Sequence, residues 1–330
     1  MIRLIFITAL IFASFIGNSQ CNGYNLLCAK TYDEVAYLTT HNAYNAQEDN
    51  FQFPNQTYNI ESQLNLGVRA FMVDVYDYFG TISAYHSTFL LGSIALSDIL
   101  NDIKLFLDNN QNDIITIILE SYVDADDIEN IVNQSGLTNY LYTHNNMLAW
   151  PTLQEMINNN QRLVIFSDKD DASSTQAWYH YVWDYAVETH YSVNDINNFS
   201  CSFNRGNPNN DLFIFNHFVT HAMLGYGMYN ESISVNANPF LINRALDCKN
   251  QHNKFPNFIT LDFVELGNGL DAVNELNSIP NSSEDVEIKK EKEIISITNI
   301  LGKEMIDRNN KVMLYIYSDG TVEKKLLIKE

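Results

Sequence analysis

Apolar and polar positions follow two rhythms along the middle of the chain. Val35 to Asn42, Arg69 to Tyr76, Ile114 to Leu119, Leu163 to Phe166, Asp211 to Val219 and Asn257 to Glu265 have the length and β-branched content of strands. Ile114-Ile-Thr-Ile-Ile-Leu119 shows no apolar/polar alternation, as expected of a strand covered on both faces. Gly80 turns the chain into a further extended piece, Thr81 to Ser87. Between these runs, Ile60 to Leu66, Ser97 to Asp108, Thr152 to Asn160 and Pro239 to Leu246 carry helical spacing. In the second, Ile99, Leu100, Ile103, Phe106 and Leu107 recur at helical intervals and Ser97 can cap the start. Strands alternating with helices over about 250 residues predict an α/β fold, a TIM-type (β/α)8 barrel. About seven strands can be placed; the eighth is expected near Ala186 to Ser192, and Asn194 to Asn210 reads as a long loop.

Several strand ends carry polar groups, and a parallel barrel builds its site from such ends. His41 and His86 each close a short run, 45 residues apart. Two imidazoles suit acid–base catalysis, one taking a proton from an attacking hydroxyl and the other giving one to a leaving oxygen. The other histidines, His180, His217 and His221 among them, have no comparable setting. Asn42, Asp74 and Glu120 are oxygen donors at strand ends, the ligand type a hard cation prefers. Asp262 ends a late strand and is a candidate to orient His41, as a carboxylate fixes an imidazole tautomer. Arg69 opens a strand after Gly67; it is a candidate phosphate contact, with a structural ion pair as the alternative. Phosphate-cradling glycine loops, Cys-x-x-Cys, His-Glu-x-x-His and Gly-x-Ser-x-Gly are absent.

Charge narrows the partners. The formal net charge is −21, and residues 21–279 hold only nine Lys/Arg against 30 Asp/Glu. Nucleic acid and nonspecific attraction to anionic membranes are therefore excluded. Residues 1–20 read as a signal peptide, with Arg3 before an apolar stretch and Gly17-Asn-Ser19 offering small residues for cleavage. No transmembrane segment is expected, so the mature protein is read as secreted or held at the cell surface. All four cysteines follow the leader, which suggests two disulfides. Three pairings are open. The short Asn/Gly loop between Cys21 and Cys28 favours Cys21–Cys28 with Cys201–Cys248. A turn-rich linker at Asn277 to Ser283 divides the barrel, 21–279, from a β-rich tail, 280–330, that carries nine Lys/Arg. The tail reads as three strands, Ile294 to Ile300, Val312 to Tyr317 and Thr321 to Ile328, with Asp319-Gly320 as a hairpin turn.

Taken in order, Thr40-His41-Asn42-x-Tyr44, Gln63-Leu-x-x-Gly67-Val-Arg69 with Asp74, His86 and Ile117-Ile-Leu-Glu120 resemble the X domain of phosphatidylinositol-specific phospholipase C. The likeness is greatest to secreted PLC-like phosphodiesterases. Cys21-Asn-Gly before Leu27-Cys28, Gln161-Arg-Leu-Val-Ile-Phe166 and Phe255-Pro-Asn-Phe-Ile-Thr-Leu-Asp262-Phe extend it over residues 21–275. The resemblance implies a distorted TIM barrel and a two-histidine cleavage of a phosphodiester, a phosphoinositide or other phospholipid. In it, the residue matching His41 assists attack by an inositol hydroxyl and that matching His86 protonates the departing oxygen. The positions matching Asn42, Asp74 and Glu120 hold Ca²⁺ in the calcium-dependent members. Met72 departs from the pattern, because it stands where those members have a carboxylate, and a thioether is a poor ligand for a hard cation. A divalent cation, with Ca²⁺ first, remains the expected cofactor. The alternative reading is a catalytically inactive barrel that binds a lipid headgroup or glycan at the cell surface. A glycerophosphodiester phosphodiesterase ranks below both, because His41-Asn42 and Met72-x-Asp74 lack that class's pattern. The tail, through Ile294-Ile-Ser-Ile-Thr-Asn-Ile-Leu-Gly302-Lys and Gly320-Thr-Val-Glu-Lys-Lys-Leu, resembles a type IX secretion sorting domain, which implies the secretion machinery as a partner.

Overall fold

Eight parallel strands curl around a buried aromatic interior. The computed structural model describes residues 20–222 and 225–279, with three strands at 294–299, 311–317 and 322–327. The expected leader through position 19 and the Asp319-Gly320 turn lie outside the described residues. The chain divides into two compact units at Ile279/Pro280.

The first unit begins with β1 (Tyr37–Thr40), α1 (Ile60–Leu66), β2 (Ala70–Tyr78), β3 (Thr81–Ala84), β4 (Ile94–Ala95), α2 (Leu96–Asn109) and β5 (Ile115–Ser121). It continues through α3 (Ala125–Ser135), α4 (Leu153–Asn158), β6 (Leu163–Ser167), β7 (Tyr179–Tyr181), α5 (Val182–Tyr185), β8 (Ala186–Thr189) and β9 (Phe203–Gly206). It closes with β10 (Leu212–Asn216), α6 (Tyr229–Val235), α7 (Phe240–His252), β11 (Phe258–Leu261) and α8 (Gly269–Ser278).

The strand order is β7-β6-β5-β2-β1-β11-β10-β8-β9. Every pair from β7 to β8 is parallel. β8, inside the expected segment, is one of the eight. Thr81 to Ser87 instead yields β3, which pairs antiparallel with β2 outside the parallel set, and its place is taken by β7, which the sequence reading did not contain. The barrel stays open between β7 and β8, where only the single turn of α5 intervenes. Alternate strand residues point to opposite faces. Tyr37, Ile118, Phe166 and Phe258 pack inside with Tyr32. Leu38, Ile117 and Ile165 face out onto Ile99, Ile103, Ile128 and Leu241 of the helices. This two-sided burial explains the unbroken apolar run around Ile117.

Further elements, among them α6 and α8, also differ from the sequence reading. The expected loop from Asn194 to Asn210 contains β9, which pairs antiparallel with β8. The disulfide Cys201–Cys248 ties its start to α7, and Cys21–Cys28 forms the second bridge. Helix α3 was not expected. Only Ile128 and Val132 face inward in its middle, and Gly136 ends it in the left-handed conformation. In the second unit, β12 (Ile294–Asn299), β13 (Lys311–Tyr317) and β14 (Val322–Leu327) form an antiparallel sheet in the order β12-β13-β14.

Candidate active site

A cavity of about 310 Å³ opens at the C-terminal ends of the barrel strands. His41, Asn42, Met72, Asp74, His86 and Glu120 all line it. Residues from β1, β2, β5 and the loop after β3 are thus brought together. Direction explains the convergence: parallel strands all deliver their last residues to one face.

His41 leaves β1 at a sharp turn. Its N–H donates to the Leu261 carbonyl, and Asn42 adopts the left-handed conformation at φ 44°. Asn is among the few non-glycine residues that tolerate this region. The His41 Nδ1 lies 2.9 Å from Asp262 Oδ1, and the ring stacks on Phe218 with centroids 3.9 Å apart. Asp262 is fully buried and also accepts two hydrogen bonds from Asn55 Nδ2. Burial pushes the Asp262 carboxyl up, while His41 and Asn55 favour its charged form. An acceptor at Nδ1 assigns the proton there and leaves Nε2 as a base. Asn55 is itself fixed, because its Oδ1 accepts from Asn42 and Asn45.

His86 lies beyond the β2–β3 hairpin. Burial lowers its pKa, a charged His41 lowers it further, and Glu120 and Asp262 oppose both. Both imidazoles line the same cavity. The loop after β10 closes over both. A Cβ at Gly225 would lie 3.2 Å from His86 Cε1, and one at Gly227 would lie 2.9 Å from Asp262 Oδ2. Sequence reading missed these two glycines, whose role exists only where the loop packs on the site.

The acidic wall follows from strand register. Asp74 pairs with Glu120, and Leu119 with Ser167, so Asp168 continues the row on the third strand. Asp168 also lines the cavity and was not anticipated. Asp74 is pushed up to about 7, first by burial and then by Glu120. Asp74 Oδ2 accepts from Tyr44, Glu120 Oε1 accepts from Tyr122, and Asn42 Nδ2 donates to Asn55. Asp74 and Glu120 thus each have one carboxylate oxygen held by the protein and a second left over, while Asn42 is held through its Nδ2 and keeps its single amide oxygen. The set is chemically suited to a hard cation. Met72 stands two residues before Asp74, on the same face, and contributes its thioether to the lining. Among the described residues, no three His, Cys, Asp or Glu side chains form a ready metal cluster.

Arg69 is corrected. It stands at the start of β2, at the opposite end of the strand from Asp74, and is not among the cavity-lining side chains. Its Nε donates to Asp113 at 2.8 Å, and its Nη1 donates to the Leu64 and Val68 carbonyls. The arginine that does reach the cavity is Arg205 of β9. His180 and His217 are buried structural groups. His217 Nε2 donates to the Val235 carbonyl, and Nδ1 accepts from Arg244.

The PI-PLC X 1 family model matches residues 27–277. The chain belongs to this family. A PI-PLC X domain-containing protein of Arthroderma benhamiae is 26% identical over 281 residues, 78% of this chain and 90% of its own length. An uncharacterized secreted protein of the same fungus is 26% identical, and a PI-PLC X domain-containing protein of Arabidopsis thaliana 27%. The alignments with these two span only 61% and 60% of their lengths. Among solved structures, the phosphatidylinositol-specific phospholipase C of Listeria monocytogenes is similar with a TM-score of 0.53 and 16% identity. That match covers 77% of this chain and 98% of the Listeria chain. The Staphylococcus aureus enzyme matches with a TM-score of 0.53 and 14% identity, over 76% and 94% of the two chains. At these identities the likeness establishes the fold, a TIM-type barrel of the PI-PLC kind.

Proposed function

We propose that this PI-PLC X protein is a secreted phosphoric diester hydrolase or lyase that cleaves a phospholipid headgroup by two-histidine acid–base catalysis. The observation that carries the reading is the His41–Asp262 pair, facing the same cavity as His86. Asp262 holds the His41 proton at Nδ1, so Nε2 can take the proton of an attacking hydroxyl. His86, with a lowered pKa, gives its proton readily to the departing oxygen. Phe218 fixes the plane of the base. When the attacking hydroxyl belongs to the headgroup, the product is a cyclic phosphodiester.

Asn42, Asp74 and Glu120 would hold a divalent cation, with Ca²⁺ the first choice for an all-oxygen set. When bound, that cation supplies charge stabilisation for the phosphoryl oxygens. The apolar leader, the two disulfides and the relative named as secreted support export. No helix among the described residues is long and apolar enough to cross a membrane. We further propose that the tail from Pro280 serves as a secretion sorting domain; secretion unchanged by its truncation would refute this.

Met72 in the cavity wall favours one second reading, an inactive barrel that binds a headgroup without cleaving it. Turnover of a panel of phospholipids, with and without Ca²⁺, decides between them. Release of a phosphorylated headgroup that is lost in His41→Ala supports the enzyme. Saturable headgroup binding without turnover supports the inert barrel.

A further inference from the structure

Asn55 is fully buried, and its side chain lies between two groups with different tasks. Its Nδ2 donates to Asp262 Oδ1 at 3.2 Å and to Oδ2 at 3.1 Å. The same nitrogen is 3.5 Å from His41 Nδ1. Its Oδ1 accepts from Asn42 Nδ2 at 3.2 Å and from Asn45 Nδ2 at 2.7 Å. One planar amide thus meets the His41–Asp262 pair at one end and Asn42, of the oxygen-donor set, at the other.

The main chain around it is held separately. The Asn55 N–H donates to the Asn45 carbonyl, and the Asn55 carbonyl accepts from the N–H of Phe263, the residue after Asp262. Gln56, also fully buried, donates from Nε2 to the His41 and Leu261 carbonyls and accepts from the Val264 N–H at Oε1. A Cβ at Gly227 would come within 3.1 Å of Asn55 Cα, so the loop after β10 also packs on this residue. The backbones that carry His41 and Asp262 therefore have supports other than the Asn55 side chain. What that side chain decides is orientation.

Charge fixes the direction of each amide. An ionised carboxylate only accepts hydrogen bonds. Asp262 therefore requires Nδ2 of Asn55 on its side, which turns Oδ1 towards Asn42 and Asn45. An amide oxygen also only accepts, so both neighbours must present their nitrogens. Asn42 lines the cavity, and with its nitrogen engaged its amide oxygen is the side-chain atom left for a hard cation. Reversing the Asn55 amide would set its oxygen against the Asp262 carboxylate and its nitrogen against two donors. Both contacts are costly in a buried site. The charge on Asp262 thus dictates, through Asn55, how Asn42 faces the cavity.

Building on the phosphodiesterase reading, we propose that Asn55 is a positioning residue that couples the base to the cation set: it holds Asp262 for His41 and turns the Asn42 oxygen towards a divalent cation. Asn55 is not among the cavity-lining residues and acts only through these neighbours.

The test uses two readouts that need no substrate: the NMR resonance of the His41 Nδ1 proton held on Asp262, and calorimetric Ca²⁺ affinity. Asn55→Leu removes both ends of the amide at similar size. It should shift the His41 resonance or lose it to exchange with water, and weaken Ca²⁺ binding about tenfold or more. At saturating Ca²⁺ it should lower kcat about tenfold or more and change KM less than about twofold. Asn42→Gly suits the left-handed backbone there and leaves Asn45 bonded to Asn55, so it should weaken Ca²⁺ binding and keep the His41 resonance. Asp262→Asn should weaken Ca²⁺ binding in the wild type, yet add less than about twofold to the loss in Asn55→Leu. A plain loss of charge would weaken binding equally in both backgrounds. Asn55→Ala repeats the series should the leucine variant fail to fold, and in the wild type Ca²⁺ should shift the Asn55 side-chain amide resonances. A folded Asn55 variant that keeps either readout, equal losses from Asp262→Asn in both backgrounds, or a wild type that does not bind Ca²⁺ would overturn the coupling. The full pattern without turnover of any phospholipid would instead defeat the phosphodiesterase reading alone.

Discussion

The His41 Nδ1 and the Asp262 Oδ1 lie 2.9 Å apart, although 221 residues separate them in the chain. The contact exists because β1 and β11 are parallel neighbours in register, with Thr40 opposite Leu261. Each strand places its next residue at the mouth of the barrel. Asp262→Asn keeps the shape and removes the charge that stabilises a protonated His41. Turnover is expected to fall by about 10²-fold or more, with little change in KM. Steady-state kinetics on a cleavable phospholipid checks this.

His41→Ala and His86→Ala should each lower kcat by at least about 10²-fold, and the double variant should lose much less than the product of the two. Groups that act in one proton relay are not additive. Multiplicative losses would mean that the two imidazoles work independently.

Cation dependence centres on Met72. EDTA should abolish activity, and Ca²⁺ should restore it. Met72→Glu adds a hard oxygen ligand beside Asp74 and is expected to tighten Ca²⁺ binding by about tenfold, read by calorimetry. An unchanged affinity would place the cation elsewhere or exclude it.

Acid should destabilise the barrel through its buried histidines. Burial lowers His180 to about 4 and His217 to about 3. Protonating His217 would also turn Nδ1 from an acceptor into a donor facing Arg244. The unfolded chain binds these protons near pH 6.5 and the folded one does not, so stability is full above about 6.5 and falls as pH drops towards the folded values. Between pH 6.5 and 5 each histidine should cost up to about 2 kcal/mol. Denaturant unfolding at the two pH values measures it, and His217→Gln should flatten part of the slope.

The two disulfides close loops of very different length, with sequence separations of 47 and 7. On loop entropy, losing Cys201–Cys248 should cost about 4 kcal/mol and losing Cys21–Cys28 about 2.5 kcal/mol. Urea unfolding of the paired Cys→Ser variants tests the order. Only the first loss should also disturb the cavity, because that bridge anchors the segment carrying Arg205.

Much of the barrel could be read from the chain itself. Unbroken apolar runs such as Ile114 to Leu119 mark strands buried on both faces, and α1 falls on Ile60 to Leu66 as its pattern predicts. His41, His86 and Glu120 were legible because each closes a largely apolar run, and Asp74 because it is an acid inside one; strand direction sends these residues, with Asn42, to one face. The tertiary structure decided what depends on neighbours in space. Arg69 looked like a phosphate contact until the direction of β2 put it at the far end, bound to Asp113. Asp168 became part of the acidic wall only through its register beside Glu120. Arg205 sits in a stretch with the composition of a loop, and nothing local distinguishes it. It reaches the cavity because β9 adds antiparallel to β8 and sets its guanidinium against Glu188, Trp183 and Tyr191. Local pattern encodes which face of an element is buried; which distant element packs beside it is fixed only when the whole sheet assembles.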